Sequence, residues 1–460
     1  MPSLYLAQII SFSGLIRLPM NCCLREAYCT KTVLRFCNWK TAGMPQSICL
    51  CSVTMVRTSR HSLMTPANDS DTETWTRQRK LVTQIMNESV RNSHFDIPAL
   101  ELPQMLLELL TQPEEFQTTL ENYTSRIISR VAYGDAKYYD RVRQASQGLL
   151  EAISPAKHLS ILVPPLRYLP KWLSPWKKTE AARHADERVF FMSAFDDVSN
   201  AMRQGTAPWS FMKRCLESQP KSGISDLECA YIVGMLGVAG VLTTSSAMMT
   251  YLLAMTLYPE WQQRVQAEVD SVCGDTMPVM SDAPQMPVLR AVIMEVMRWR
   301  PIVPAAIPHR TTEDSFYEDY FIPKGTHIHA TTWAITRNPA AYPSPDVFDP
   351  DRWLQPSSPN YKAPLTEFPN IRNFTSFGYG RRVCMGQDLT EHEFFLAIGG
   401  MAWAMSVEKK RDEAGNEIDV PLHDYGALVI TKPENFPFDV KPRSGKRTAM
   451  LEAMRLNQRC

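Results

Sequence analysis

The segment Phe374–Gly386 reads FTSFGYGRRVCMG and gathers a thiol, cations and glycines in one short stretch. Cys384 stands just before a helical pattern expected from about Asp388 to Val407. Backbone N–H groups and the helix dipole at such an N-terminus favour a negative sulfur, which predicts a lowered thiol pKa and a ready metal ligand. Gly378, Gly380 and Gly386 let backbone approach something flat and large without Cβ collisions. Arg382, two residues before the thiol, offers a forked cation for a carboxylate. The pattern is F-x-x-G-x-R-x-C-x-G, carried by Phe377, Gly380, Arg382, Cys384 and Gly386. A lone buried cysteine is ordinarily inert core; this one comes with a setting.

Other pairs have spacings that suit chemistry or support. Glu295 and Arg298 lie i, i+3 in the apolar pattern PVLRAVIMEVMRWR and share a helix face. Exposed, such a pair contributes about 0–1 kcal/mol; buried in an apolar helix, it needs a third partner. Trp75 and Arg79 lie i, i+4 in an early helix. His309 and Arg310 precede a strand. Between Glu228 and Glu260 no residue is charged, and the centre of that stretch reads Ala239, Gly240, Val241, Leu242, Thr243, Thr244. Such a run is long enough to span a bilayer, but its glycines and hydroxyls fit a helix buried in a large core as well, which is the reading preferred here.

Together these motifs resemble the haem-thiolate monooxygenases, the cytochrome P-450 family, over about residues 75–440. The resemblance implies a mainly α fold with a small β part, in which haem b (iron protoporphyrin IX) sits between the long central helix and the cysteine loop. Cys384 would then be the axial ligand, shielded by Phe377. Arg382, Trp75, Arg79 and one of His309 and Arg310 would face the haem propionates, while Glu295, Arg298 and Arg352 would form a network serving folding and haem retention. On the central helix, Gly240 would leave room for dioxygen and the Thr243 hydroxyl would pass protons. The family's acid position holds Leu242, a departure that weakens the usual relay. An NADPH-dependent flavoprotein reductase, O2 and an apolar small molecule are the implied partners. The closest look is to fungal members, which often tailor secondary metabolites. The alternatives are a haem-thiolate isomerase or dehydratase needing no external electrons, an inactive haem-binding remnant, and a membrane transporter built on the uncharged stretch.

The elements that must position these residues follow from periodicity. Helices are expected at 74–90, at 100–132 with a break near Thr111–Pro113, and at 180–203, 226–257, 259–272 and 287–300. Residues 155–176 read as a proline-rich loop whose Trp172 and Trp176 either pack on the surface or touch a membrane. A hairpin is expected around Pro323-Lys324-Gly325 and another within residues 423–443.

Composition narrows the rest. The chain has 460 residues, is 44% hydrophobic and carries a net charge of +1, which argues against a nucleic-acid binder held by bulk charge. Residues 1–68 differ, with six of the eleven cysteines and seven basic residues against one acid. They contain no C-x-x-C pair, and the uncharged run at residues 2–16 is shorter than the roughly 20 residues needed to span a bilayer. The expected division is an atypical segment at 1–68 outside the conserved fold, a haem-thiolate domain at 69–445, and a tail at 446–460. Members of the family usually place an anchor helix and a first sheet before W-x-x-x-R, and residues 1–74 show no such pattern. The expected location is the endoplasmic reticulum surface, with no clear transmembrane anchor.

Overall fold

Helical periodicity is realised along most of the chain. The computed structural model describes residues 8–11, 14–17, 49–50 and 72–457, apart from residues 93, 155–165, 167, 308 and 312. In chain order the helices are α1 (Thr72–Arg91), α2 (Ile97–Thr111), α3 (Phe116–Tyr133), α4 (Tyr139–Ile153), α5 (Pro175–Arg203), α6 (Phe211–Ser222) and α7 (Asp226–Leu257). They continue as α8 (Pro259–Cys273), α9 (Pro287–Trp299), the short α10 (Thr332–Ile335), α11 (Gln387–Ala404) and α12 (Gly445–Asn457). The break between α2 and α3 falls at Pro113, as expected, because proline cannot continue the hydrogen-bond ladder.

The uncharged stretch is α7, and it is the core helix rather than a membrane span. It is long and apolar enough to cross a bilayer, but most of it is buried, packed on α3, α4, α5, α6, α9 and α11. Its start is fixed by a reciprocal cap: the Ser225 hydroxyl accepts from the Glu228 amide, and the Glu228 carboxylate accepts from the Ser225 amide. Two glycines let neighbours close on its backbone. A Cβ at Gly234 would lie 2.5 Å from the Phe191 ring of α5, and one at Gly240 would lie 2.7 Å from Ile128 of α3. The missing side chain of Gly240 therefore makes room for α3, which corrects the expectation that it is there to admit dioxygen.

The strands are short: β1 (Gln8–Ser11) pairs with β2 (Gly14–Arg17), and β3 (Cys49–Leu50), β4 (His309–Arg310) and β7 (His327–Ile328) form an antiparallel sheet in the order β3-β4-β7. Cys49–Leu50 thus add a strand from within the segment expected to lie outside the fold; most of residues 1–68 fall outside the described residues. The first hairpin is displaced from its expected turn. β5 (Ser315–Tyr317) and β6 (Tyr320–Ile322) pair around Glu318–Asp319, since Pro323 has no N–H to extend the ladder. The Pro323–Gly325 turn leads instead into β7, braced by Thr311, whose hydroxyl donates to the Pro323 carbonyl (2.8 Å).

Two C-terminal expectations are also corrected. The helix expected to reach Val407 stops at Ala404, where Met-Ser-Val-Glu-Lys alternates apolar and polar and becomes β8 (Met405–Lys409). Its partner is β9 (Phe438–Pro442), so the ladder within residues 423–443 is made mainly with β8 rather than within the segment. Much of the expected tail is α12, where Leu451 is buried and the Arg447 guanidinium donates to Asp270 (2.9 Å). Helix α5 begins earlier than expected, at Pro175. Before it, Trp172 is 79% exposed rather than packed, and residues 155–165 of the expected loop lie outside the described residues.

The Glu295 trio is buried and complete. The Arg298 guanidinium donates to both Glu295 oxygens (2.8 and 2.7 Å), and Arg352 donates through Nε (3.0 Å). The Trp353 indole (3.0 Å) and the Asp349 amide (2.9 Å) fill the remaining acceptor positions. Arg298 also donates to the Thr336, Pro345 and Val347 carbonyls, pinning the loop that leads toward the cysteine segment. Removing one charge would strand the others away from water. Glu295→Ala is expected to lower the unfolding free energy by about 3–5 kcal/mol in a denaturant titration; a loss within the 0–1 kcal/mol of an exposed pair would show that the network is not structural.

Candidate functional site

Short helical turns at Thr375–Phe377 and Gly380–Arg382 carry the cysteine segment to α11. Gly378 (φ +74°) and Gly380 (φ +62°) take left-handed backbone that a side chain would strain. The Cys384 amide donates to the Phe377 carbonyl (2.8 Å), so Phe377 and the thiol are tied across the loop. The Gly386 amide donates toward the sulfur (3.4 Å), and a Cβ at Gly386 would lie 3.7 Å from it.

The expectation of a lowered thiol pKa is corrected. Cys384 is reachable by solvent, yet burial among surrounding atoms pushes its thiol up, outweighing the Gly386 N–H and the positive charge of Arg79. One partial dipole and one neighbouring cation do not hold it ionised on their own.

Helix α1 clamps this loop. The Arg79 guanidinium donates to the Val383 carbonyl next to the thiol, and Arg382 lies over the Trp75 ring, 3.7 Å from its centroid. On the same helix Arg77 (2.9 Å) and Gln78 (3.3 Å) donate to Glu228, so α1 ties the cysteine loop to the start of α7. His309 on β4 is close enough to Arg382 and His329 to feel their charge. The backbone of Arg310 pairs with Cys49 and His327, while its side chain lies outside the described residues.

Between Glu228 and Thr256, every residue of α7 is buried except Leu236, Ala239, Gly240 and Thr243. Leu236, Ala239 and Thr243 recur at three- and four-residue intervals as a partly exposed stripe, while Gly240 beside them closes on Ile128 of α3. Thr243 donates to the Ala239 carbonyl (3.0 Å). Leu242 is buried on the core side. Three features lie outside the sequence reading. They are the partly exposed stripe, His329 and Glu393, which sits fully buried on α11 with one oxygen unpartnered. The signal for Glu393 was available as a single carboxylate inside the apolar run EFFLAIGGMAWA.

A glycine-turned cysteine loop is clamped by Trp75 and Arg79 of α1, which also ties it to the start of the long helix α7. A family model for cytochrome P450 matches residues 57–436, and the chain belongs to the cytochrome P450 family. It is 30% identical over 392 residues to cytochrome P450 monooxygenase 58 of Postia placenta, covering 83% of this chain and 74% of that protein. It is also 30% identical over 387 residues to cytochrome P450 monooxygenase psoD of Aspergillus fumigatus, covering 82% and 74%. A zebra fish cytochrome P450 solved with progesterone matches the fold with a TM-score of 0.72 at 21% identity, over 95% of this chain and 96% of that one. This is therefore a P450-type monooxygenase, whose family cofactor is haem with a cysteine thiolate ligand. The residues fit that group: a solvent-reachable sulfur, guanidinium groups beside it and a partly exposed helix stripe.

Burial, then Arg382 and His329, lowers the His309 pKa to about 4. The unfolded imidazole, near 6.5, takes up its proton first as the pH falls. Stability contributed by His309 is then present above about pH 6.5 and lost toward about pH 4. His309→Gln is expected to flatten the unfolding free energy against pH across that window. An unaltered slope would contradict the burial of this ring.

Proposed function

We propose that this chain holds haem b on the Cys384 sulfur and oxidises an apolar small molecule with O2 and electrons from an NADPH-dependent flavoprotein reductase. The observation that carries the reading is the exposed sulfur of Cys384 on a glycine-turned loop that α1 clamps through Arg79 and Trp75. When bound, haem would supply the oxygen activation, helped by electron donation from its thiolate ligand. The protein's residues do the rest. Phe377 and the Gly386 amide fix the sulfur's direction, and Arg79 sets positive charge beside it. Arg382, held by Trp75, would face the carboxylates of the porphyrin edge, with one of His309 and Arg310 assigned the same role by analogy with the family. Ala239 and Thr243 present a small surface and a hydroxyl to the reacting side. Leu236 keeps that side apolar, which suits a substrate attacked at a carbon–hydrogen bond.

Similarity to fungal monooxygenases supports a role in making secondary metabolites, at an endoplasmic reticulum surface by analogy with the family. The buried Leu242 in the usual acid position motivates a second reading, a haem-thiolate isomerase or dehydratase that uses no external electrons.

A ferrous–carbon monoxide difference spectrum should show a thiolate-type Soret band that Cys384→Ser abolishes; an unchanged band would remove Cys384 as the ligand. Arg382→Leu is expected to weaken haem retention by roughly 10–100-fold, read as haem transfer to an acceptor protein. Retention equal to the parent would contradict a propionate role. Reductase-dependent O2 consumption separates the two enzymatic readings, since the isomerase or dehydratase would show none.

A further inference from the structure

The two oxygens of one carboxylate at the head of α7 serve different helices. Glu228 Oε2 accepts from the Ser225 amide (3.0 Å) and the Ser225 hydroxyl (2.9 Å), closing the cap of α7. Its Oε1 is turned to α1, where it accepts from Arg77 (2.9 Å) and Gln78 (3.3 Å). The Glu228 side chain is 10% exposed and Gln78 is buried, so neither group has much water to bond instead. Burial alone would raise the Glu228 pKa, but Ser225, Arg77 and Gln78 together outweigh it and hold the carboxylate below its ordinary range. The group is therefore an anion at neutral pH, and a charge ties α1 to α7.

That tie sits at the end of α1 that matters for the sulfur. Toward its other end α1 packs on α6, where Glu88 accepts from Arg214 (2.7 Å). Its early turns carry two sets of contacts. Arg77 and Gln78 reach Glu228, while Arg79 donates to the Val383 carbonyl next to Cys384 and Trp75 lies under Arg382. Residues 75–79 span only about 6 Å of helix axis, and a hydrogen-bonded turn moves as one body. With the Glu88 end anchored, any swing allowed at Arg77 is passed on to Val383.

We propose that Glu228 is a positioning residue for the sulfur ligand: its Oε1 fixes the early turns of α1 from the head of α7, and α1 fixes Cys384 through Arg79 and Trp75. The carboxylate makes no hydrogen bond to the cysteine loop and acts only through that helix. The inference rests on the reading that Cys384 holds haem, and names the residue that keeps this ligand in place.

Substitution can separate the two oxygens. Glu228→Gln keeps a capping side chain three residues into α7 while removing the charge that Arg77 meets. Arg77→Leu leaves Glu228 and the cap intact, and serves alone should Glu228→Gln fail to accumulate. Ser225→Ala weakens the cap and leaves the bonds to α1. Each holoenzyme is examined by its ferrous–carbon monoxide spectrum, by haem transfer to an acceptor protein and by denaturant titration. Glu228→Gln and Arg77→Leu are expected to move the Soret band from thiolate type toward thiol type and to speed haem transfer roughly 10-fold. The double variant should be no worse than the more severe single one, as for two ends of one contact. Ser225→Ala should lower stability and leave the band ratio at the parent's. A parental ratio in both α1-directed variants, or an equal shift in Ser225→Ala, would overturn the proposal, the latter by marking general loosening. Absence of the thiolate-type band in the parent would instead overturn the haem-thiolate reading.

Discussion

A negative sulfur in a place that disfavours negative charge is the constraint on which the proposed function depends. Burial raises the Cys384 thiol, and the nearby Gly386 N–H and Arg79 only partly offset it. A metal ion settles such a balance outright, because a coordinated thiol loses its proton. The loop therefore has one task, to keep the sulfur presented and correctly directed. The left-handed Gly378 and Gly380 and the bond between the Cys384 amide and the Phe377 carbonyl do this locally.

Local geometry would not suffice without a frame. Helix α1 supplies it from one side, with Arg79 and Trp75 on the cysteine loop and Arg77 and Gln78 on Glu228 at the head of α7. The Glu295 network supplies it from the other, gripping the backbone between Thr336 and Arg352 with charges that have no water to retreat to. Both devices bind segments far apart in sequence.

Much of this was legible from residue order. The run without charge between Glu228 and Glu260 marked the core helix to within three residues at each end, because a long helix buried almost all round has no polar face to show. The F-x-x-G-x-R-x-C-x-G spacing marked the loop, because each position there is needed for backbone or charge reasons. What stayed hidden was whatever depends on packing between distant segments. The pKa of Cys384 came out with the opposite sign, since helix dipoles act locally and burial does not. Gly240 looked like space for a ligand, but its missing Cβ points at Ile128. β8 and β9 found each other across an intervening loop. Glu393 was visible only as one acid in an apolar run, and its position against Thr244 comes from the folding of α11 onto α7.

The claim that Cys384 binds the iron is tested most directly by resonance Raman spectroscopy of the ferric holoenzyme grown with isotopically heavy sulfur in its cysteines. The account predicts an iron–sulfur stretching band that shifts with the isotope and vanishes when Cys384 is replaced by His. A spectrum without an isotope-sensitive band, or one that keeps the band in that variant, would contradict it.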